Sequence, residues 1–544
     1  MRLAIIADPH LHDTSYDPLG DGSGAFRTLS QTVGSTRVFN ESVPAFRAAL
    51  DDLVRRGISY VILVGDLTDD GQDYAVACAR RILSEYEDRH GLRFFACVGN
   101  HDLFAISGRH RRKAFLRPDG STYHVSSDAS DPADVVSNAM HCGGYRAFIG
   151  AFANLGFMRQ EGDLLWETPF GTEDDPQSRL AELSGLGTGQ GGSMFDASYL
   201  VEPTDGLWLL SLDANVWIPD ASVPDGAIDC SDAGWNAAVL HKPYLLDWLS
   251  SVVARSEASG KRLVVFSHYP VLPPLSSDPA QEHDLLGTSD LLARMPSKAT
   301  SQRFAGTGAR LHFSGHWHVD GTSAGAGLVN VAVPSIVALP AAYKIVRLEE
   351  DRADIETVSL GGVPGFDIAK QAYESEIAFA GSAAASVVAV DDYAGFLSNQ
   401  QGRLAVERYL GREWPRNIAQ TFSSSTIADM AAPFGLDPGP WGSRPLQEVV
   451  GDWYRLRRAG PLAHHLIGEP CLDLYRNLAG HYAGATFPAG SAASAFRLFM
   501  MMMGSYLADR DMTVSVQLAD AGVTPRSVAS LGEQNDATLE LGEN

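Results

Sequence analysis

Residues 60–66 read YVILVGD and residues 94–102 read FFACVGNHD. Each is a short apolar run, long enough for a buried strand but too short for a buried helix, and each stops abruptly at glycine and polar side chains. The same shape recurs three times: Leu3–Ala7 ends in Asp8-Pro9-His10, Leu263–Phe266 in Ser267-His268, and Leu311–Phe313 runs into Gly315-His316-Trp317-His318. Segments with helical spacing lie between these runs. Asn40–Arg56 carries Phe46, Leu50, Leu53 and Val54 on one face, with Gly57 as a stop, and residues 73–87 and about 236–255 repeat the pattern. Leu207–Leu212 and the stretches around 327–333 and 343–359 add further strands. Strands alternating with helices predict an α/β layered domain. Ligands of such sheets gather beyond the carboxyl ends of the strands, where all five polar clusters fall.

The chain is 544 residues long, more than one hydrophobic core accommodates. From about 104 to 200 the alternation dissolves, and a structureless loop of that length is implausible in a folded domain, so an inserted subdomain or lid is expected there. Beyond about 362 the composition turns Ala-rich, with amphipathic segments around 393–410, 445–458, 461–480 and 491–508. This divides the chain into residues 1–362, interrupted by the insert, and a mainly helical 363–544 whose last residues, from about 531, are polar and frayed. With 66 acidic against 42 basic residues the net charge is −24, which argues against a broad surface for nucleic acid or anionic lipid. Five scattered cysteines without a CxxC pair suit a reducing compartment. The start, MRLAIIADPH, lacks the apolar core of a secretory signal. The uncharged stretches Gly321–Tyr343 and Leu478–Phe496 are broken by proline and glycine, so no membrane span and a cytoplasmic location are expected.

Read together, the five clusters offer carboxylate, imidazole and amide oxygen but no thiolate, an inventory for divalent ions such as Mn²⁺, Fe²⁺ or Zn²⁺. Asp8 and His10, two residues apart, can chelate one ion, and so can His316 and His318. A second ion needs its own ligands and a bridging carboxylate, for which Asp66 is the natural choice. Two ions roughly 3.5–4 Å apart can hold a hydroxide for in-line attack on phosphorus.

The series D-x-H, GD, GNHD, H and GHxH, in that order, resembles the calcineurin-like metallophosphoesterase family, and within it the bacterial cyclic-nucleotide and glycerophosphodiester phosphodiesterases. The resemblance covers residues 1 to about 360, the insert excepted. It implies a four-layer α/β/β/α sandwich, here with an inserted subdomain and a C-terminal helical extension. It also implies Asp8, His10 and His318 on one metal, Asp66 bridging, and Asn100, His268 and His316 on the other. His101 would act as general acid at the leaving group, oriented by Asp102, while a metal-bridging hydroxide attacks a small phosphodiester. A phosphomonoesterase or nuclease of the same family remains open. A non-catalytic metal-binding scaffold ranks lower, because all seven ligand positions and His101 are filled. The expected partner is a small phosphoester, and the C-terminal helices are a candidate surface for a homo-oligomer.

Taken singly these fragments mean little: a lone GD is usually a turn, and a lone His after a strand is usually a satisfied core residue. Their ordered recurrence after strands carries the reading. His12 and Asp13 match no ligand position, and Asp69 stands where the purple acid phosphatase branch has an iron-ligating Tyr. The basic run Arg109–Lys113 reads first as a solvated helix face and second as a device that steers phosphate into the site. Asp213 and Asn215 shape the pocket or make a turn. His464, His465 and His481 read as helix-surface or core residues, and Met500–Met503 as core filler or a soft helix interface.

Overall fold

The computed structural model of the chain describes residues 1–182, 193–220, 222–223, 225–508 and 513–518. The frayed end expected from about 531 lies outside the described residues. Among the described residues thirteen strands build two large sheets: β1 (Arg2–Ile6), β2 (Tyr60–Val64), β3 (Arg93–Cys97), β4 (Leu165–Glu167), β5 (Tyr199–Thr204), β6 (Leu207–Leu212), β7 (Arg262–Ser267), β8 (Leu311–Ser314), β9 (Gly321–Gly325), β10 (Leu328–Ala332), β11 (Ala342–Leu348), β12 (Arg352–Ser359) and β13 (Thr513–Gln517). The first sheet runs β13-β12-β11-β1-β2-β3 and the second β9-β10-β8-β7-β6-β5-β4. β1, β2 and β3 are parallel, as are β6, β7, β8 and β10. Parallel strands covered on both faces read as unbroken apolar runs, which is why YVILV and LWLLSL carry no alternation.

The layering follows from which way alternate side chains point. On β7, Val264 and Phe266 enter the main core while Val265 faces a second cluster. That second cluster contains Leu249 and Val252 of the helix Tyr244–Ser259 and Phe304 of the helix Lys298–Ala305. Across the gap between sheets, the Tyr199 hydroxyl on β5 donates to the Ala96 carbonyl on β3 at 2.9 Å. On the outer side of the first sheet lie the helices Ser42–Arg55 and Asp73–His90, joined by an Arg47–Glu85 ion pair at 2.7 Å. Phe46, Leu50 and Leu53 are fully buried there. The order helix, sheet, sheet, helix is the expected four-layer sandwich.

Residues 104–182 are less separate than an inserted lid. Arg112–Leu116 pairs with Thr122–Ser126 in a hairpin over a small apolar cluster that includes Tyr74, Phe115 and Tyr123. The helix Tyr145–Ala151 and the turn after it send Phe148, Ile149, Phe152, Leu155 and Phe157 into the main core, and β4 forms an edge of the second sheet. The basic run therefore does not lie on a helix face. Pro118-Asp119-Gly120 makes a tight turn, with Gly120 N–H donating to the Arg117 carbonyl at 2.9 Å, and that turn folds residues 112–116 back as a strand.

The C-terminal helices share the main core and are tied to the sandwich by side chains. The Tyr393 hydroxyl donates to the Ile336 carbonyl at 3.0 Å, Gln400 to the Thr32 and Ser35 carbonyls, and Arg457 to both oxygens of Glu282. β13 then returns to extend the first sheet, pairing Val514 with Ile355. Among the described residues no helix is long and apolar enough to cross a membrane, and all five cysteines are free.

Glu41 sits under this seam. Burial pushes its carboxyl up to about 7, and one oxygen, Oε1, has no hydrogen-bond partner; Tyr373 donates to the other at 3.4 Å. A folded-state value above the ordinary 4.5 means that the folded protein holds the proton more tightly. Its contribution is therefore intact below about 4.5 and is lost as pH rises through about 7. Glu41→Gln is expected to match the wild type at pH 4.5 and to be more stable at pH 8 by on the order of 3 kcal/mol. Thermal unfolding of both proteins across that range checks it, and a pH-independent difference would refute it.

Candidate metal centre

The polar clusters sit on the loops that leave the carboxyl ends of β1, β2, β3, β7 and β8, all on one edge of the sandwich. Seven non-glycine residues among those described have left-handed backbone, and five of them are Asp8, His10, Asp66, His316 and His318. Such a conformation costs roughly 1–2 kcal/mol per residue, so the strain of the fold is concentrated on the loops that present these side chains. Two glycines allow the loops to close on one another. A Cβ at Gly99 would lie 2.1 Å from Asp66 Oδ1, and one at Gly315 would lie 2.3 Å from Asp8 Oδ2.

Two donor groups result: Asp8, His10 and His318, and Asp66, His268 and His316, with ligand atoms within 4.8 Å of one another in each. In the first, His10 Nε2 and His318 Nε2 are 3.1 Å apart and Asp8 Oδ1 is 3.3 Å from His318 Nε2. In the second, Asn100 Oδ1 is 3.1 Å from both His268 Nε2 and His316 Nδ1, which are 3.2 Å from each other. Asp66 Oδ2 lies between the groups, 3.3 Å from His268 Nε2 and 3.6 Å from His10 Nε2. All seven residues singled out in the sequence thus converge.

Surrounding contacts fix which nitrogen faces inward. His268 Nδ1 bonds the Val64 carbonyl at 3.0 Å and His318 Nδ1 the Thr36 carbonyl at 3.3 Å, which turns each Nε2 toward the other donors. Burial, reinforced by Arg37 for His10 and by His268 for His316, holds both imidazoles well below their usual range and therefore neutral. Burial alone would raise Asp66, but His268 and His101 hold it well below the carboxylate range. Burial would lower His268, but Asp66 pushes it up to about 9, so that a cation is favoured at this position. Carboxylate oxygens and imidazole nitrogens facing one another at 3.1–3.6 Å fit a pair of divalent ions of intermediate hardness.

His101 stands beside the first group, its ring centroid 5.2 Å from that of His10, and its N–H donates to Asp66 Oδ1 at 2.8 Å. The carboxylate on its ring is not Asp102, as expected, but Asp70, with Oδ1 at 2.7 Å from His101 Nδ1. Asp102 is turned the other way: it accepts from Thr68 N–H at 2.9 Å and from Gly99 N–H at 2.9 Å, stapling the β2 and β3 loops together. A residue adjacent to His101 on a tight turn cannot reach round to its ring, whereas the Asp66–Gly71 loop faces it. Burial opposes ionisation of Asp70, but Lys113, His101 and Arg111 hold it well below the usual range. Asp70→Asn is expected to cut turnover about 10- to 100-fold with metal content unchanged. Parallel kinetics and elemental analysis check this, and wild-type turnover would contradict it.

The family model for calcineurin-like phosphoesterases matches residues 1–177, the stretch that supplies Asp8, His10, Asp66, Asn100 and His101. Over those residues the chain is similar to the calcineurin-like phosphoesterases. Solved structures similar to this chain include a dimetal phosphatase from Danio rerio, 14% identical with a TM-score of 0.37, covering 66% of this chain and 99% of that one. A putative 5'-nucleotidase from Staphylococcus aureus is 11% identical with a TM-score of 0.32, covering 69% of this chain and 58% of that one. A purple acid phosphatase from yellow lupin seeds is 11% identical with a TM-score of 0.29, over 66% and 51% respectively. No curated protein matches the sequence.

Other residues singled out in the sequence lie at one remove or elsewhere. The Tyr269 ring packs 4.7 Å from that of His316, and its hydroxyl donates to Asn215 Oδ1 at 2.7 Å, so Asn215 shapes the pocket wall. Asp213 instead joins a buried set with Tyr145 and Lys242. His12 is buried against the Tyr74 hydroxyl and the Ala25 carbonyl, and Asp13 pairs with Arg81. Asp69 is locked by Arg27 at 2.7 Å and Arg37 at 2.9 Å. His465 and His481 are exposed on helices, while Met500, Met502 and Met503 are fully buried beside Phe499. Sequence reasoning missed Asp70, Arg37 and Tyr269. The first two gave no local signal, but Tyr269, directly after His268, could have been read as part of the same cluster.

Proposed function

We propose that this chain is a metal-dependent hydrolase of small phosphodiesters. The observation that carries the reading is the position of Asp66 Oδ2 between two three-residue donor groups, with His101 alongside. Asp8, His10 and His318 would hold one divalent ion, and Asn100, His268 and His316 the other, with Asp66 shared. Such a pair supplies Lewis acidity and an activated water at neutral pH, and nitrogen and oxygen donors without thiolate suit Mn²⁺, Fe²⁺ or Zn²⁺. The protein's own part is to place the ester and to handle the leaving oxygen. With His101 Nδ1 engaged by Asp70, Nε2 is the ring nitrogen left to give a proton to an alkoxide, as a diester requires. Free cysteines are consistent with action in the cytoplasm.

The test is hydrolysis of bis(4-nitrophenyl) phosphate and 4-nitrophenyl phosphate after loading with each of the three metals. Faster turnover of the diester is expected. Faster turnover of the monoester would move the chain to the phosphomonoesterases of its family. Two bound ions with no turnover of either ester would make it a scaffold.

A further inference from the structure

The metal centre has a cationic wall that its chemistry, as read above, leaves unused. Arg27 and Arg37 both pair with Asp69, at 2.7 and 2.9 Å. Arg111 pairs with Asp70 at 3.3 Å, and Lys113 contacts both Asp70 and, at 3.8 Å, Asp69. Four cations thus share two carboxylates, and among the described residues no other carboxylate lies within ion-pair distance of these four. Two positive charges remain uncompensated in a place largely removed from water, where an unmatched charge is costly. The donors are also incompletely used: Arg37 Nε and Arg111 Nε are both buried without a hydrogen-bond partner.

This wall adjoins the reaction site. Arg37 reaches within 3.2 Å of His101 Nδ1, and Asp70 links His101 to Arg111 and Lys113. Nor is it sealed, since the side chains of His101, Lys113 and Arg111 are 28%, 15% and 22% exposed. Arg111 and Lys113 come from the hairpin at residues 109–126, and Arg37 from the loop between the helices Leu29–Val33 and Ser42–Arg55.

The geometry points to a second anion subsite beside His101, formed by Arg37, Arg111 and Lys113, that receives a further phosphate or carboxylate of the substrate. This rests on the phosphoester reading and narrows it: the preferred ester carries an anionic group a few bonds away from the phosphorus that is attacked. Against an overall charge of −24, a local surplus of cations favours an anionic group at this wall.

The experiment compares inhibition of the metal-loaded full chain by 3-phosphonopropionate and 4-phosphonobutyrate with inhibition by their neutral carboxamides, which match them in shape. The wild type should bind at least one of the two acids about tenfold more tightly than its amide, with the advantage shrinking at high salt. In Arg111→Gln and Lys113→Gln the advantage should fall to within about twofold, with the amide constants little changed. Calorimetric titration of the same compounds gives a readout independent of turnover. Equal binding of acid and amide by the wild type overturns the subsite while leaving the phosphoester reading intact, and so does an advantage that survives in both variants. If neither compound binds and no ester is hydrolysed, the phosphoester reading fails and the subsite falls with it. The wild-type comparison stands even if a variant fails to fold.

Discussion

Asp66→Asn is expected to lower turnover about a thousandfold or more and to leave fewer than two tightly held ions per chain. Its carboxylate is the one group shared by the whole centre. Oδ2 lies 3.6 Å from His10 Nε2 and 3.3 Å from His268 Nε2, while Oδ1 accepts the His101 N–H at 2.8 Å. Asn keeps the shape and the Oδ1 contact but removes the charge and replaces one acceptor with an N–H₂ that faces two imidazole nitrogens. Loss of the charge stabilisation that a paired metal site supplies is worth several kcal/mol, and about 4 kcal/mol already corresponds to a thousandfold in rate. The loss should appear in kcat, with elemental analysis showing depleted metal. By contrast, Asp70→Asn should keep its metal and lose less, because Asp70 acts through His101 rather than on the donor groups. A fully active Asp66→Asn after dialysis against chelator would remove the basis of the functional proposal.

What the sequence reveals of this centre depends on how local each signal is. Asp8, His10, Asp66, Asn100, His268, His316 and His318 were legible because each directly follows a buried strand, and in a layered sheet that position alone brings them to one edge. The ring partner of His101 was not legible. Asp70 and Asp102 are both acidic neighbours of motif residues, and only the path of the Asp66–Gly71 loop decides which one meets Nδ1. Lys113 was misread for a related reason: five consecutive polar residues have no apolar period, and the strand becomes visible only once Phe115 and Leu116 are seen buried against the core. β13 was hidden in a region read as helical because a short edge strand is specified by its partner, here β12, rather than by its own sequence. The seam of the C-terminal helices was likewise invisible, since it is written in single long-range contacts.

The strongest of those contacts yields the second large effect. Arg457, on the helix Leu446–Ala459, donates to both oxygens of Glu282, on the helix Pro279–Leu286, at 2.9 and 2.7 Å, and the two side chains are 4% and 1% exposed. Deleting one partner leaves the other charge buried and unpaired, so Arg457→Met or Glu282→Gln alone is expected to cost about 3–5 kcal/mol of stability. The double variant Glu282→Leu with Arg457→Leu leaves no orphan charge and should cost distinctly less than either single change. The consequence should extend to the metal site. The residue after Arg457 holds the centre twice: the Arg458 carbonyl accepts Asp320 N–H at 2.7 Å, two residues beyond His318, and its guanidinium donates at 3.3 Å to the same Thr36 carbonyl that orients His318. Loosening this helix should therefore weaken metal affinity at the His318 group by about tenfold, the usual cost of losing support behind a ligand. Urea unfolding of the three variants and titration of the metal-depleted proteins with Zn²⁺ test both parts. If the double variant is no better than the singles, the pair is not the tie. If affinity is unchanged in a destabilised single variant, the C-terminal helices support the fold without supporting the site.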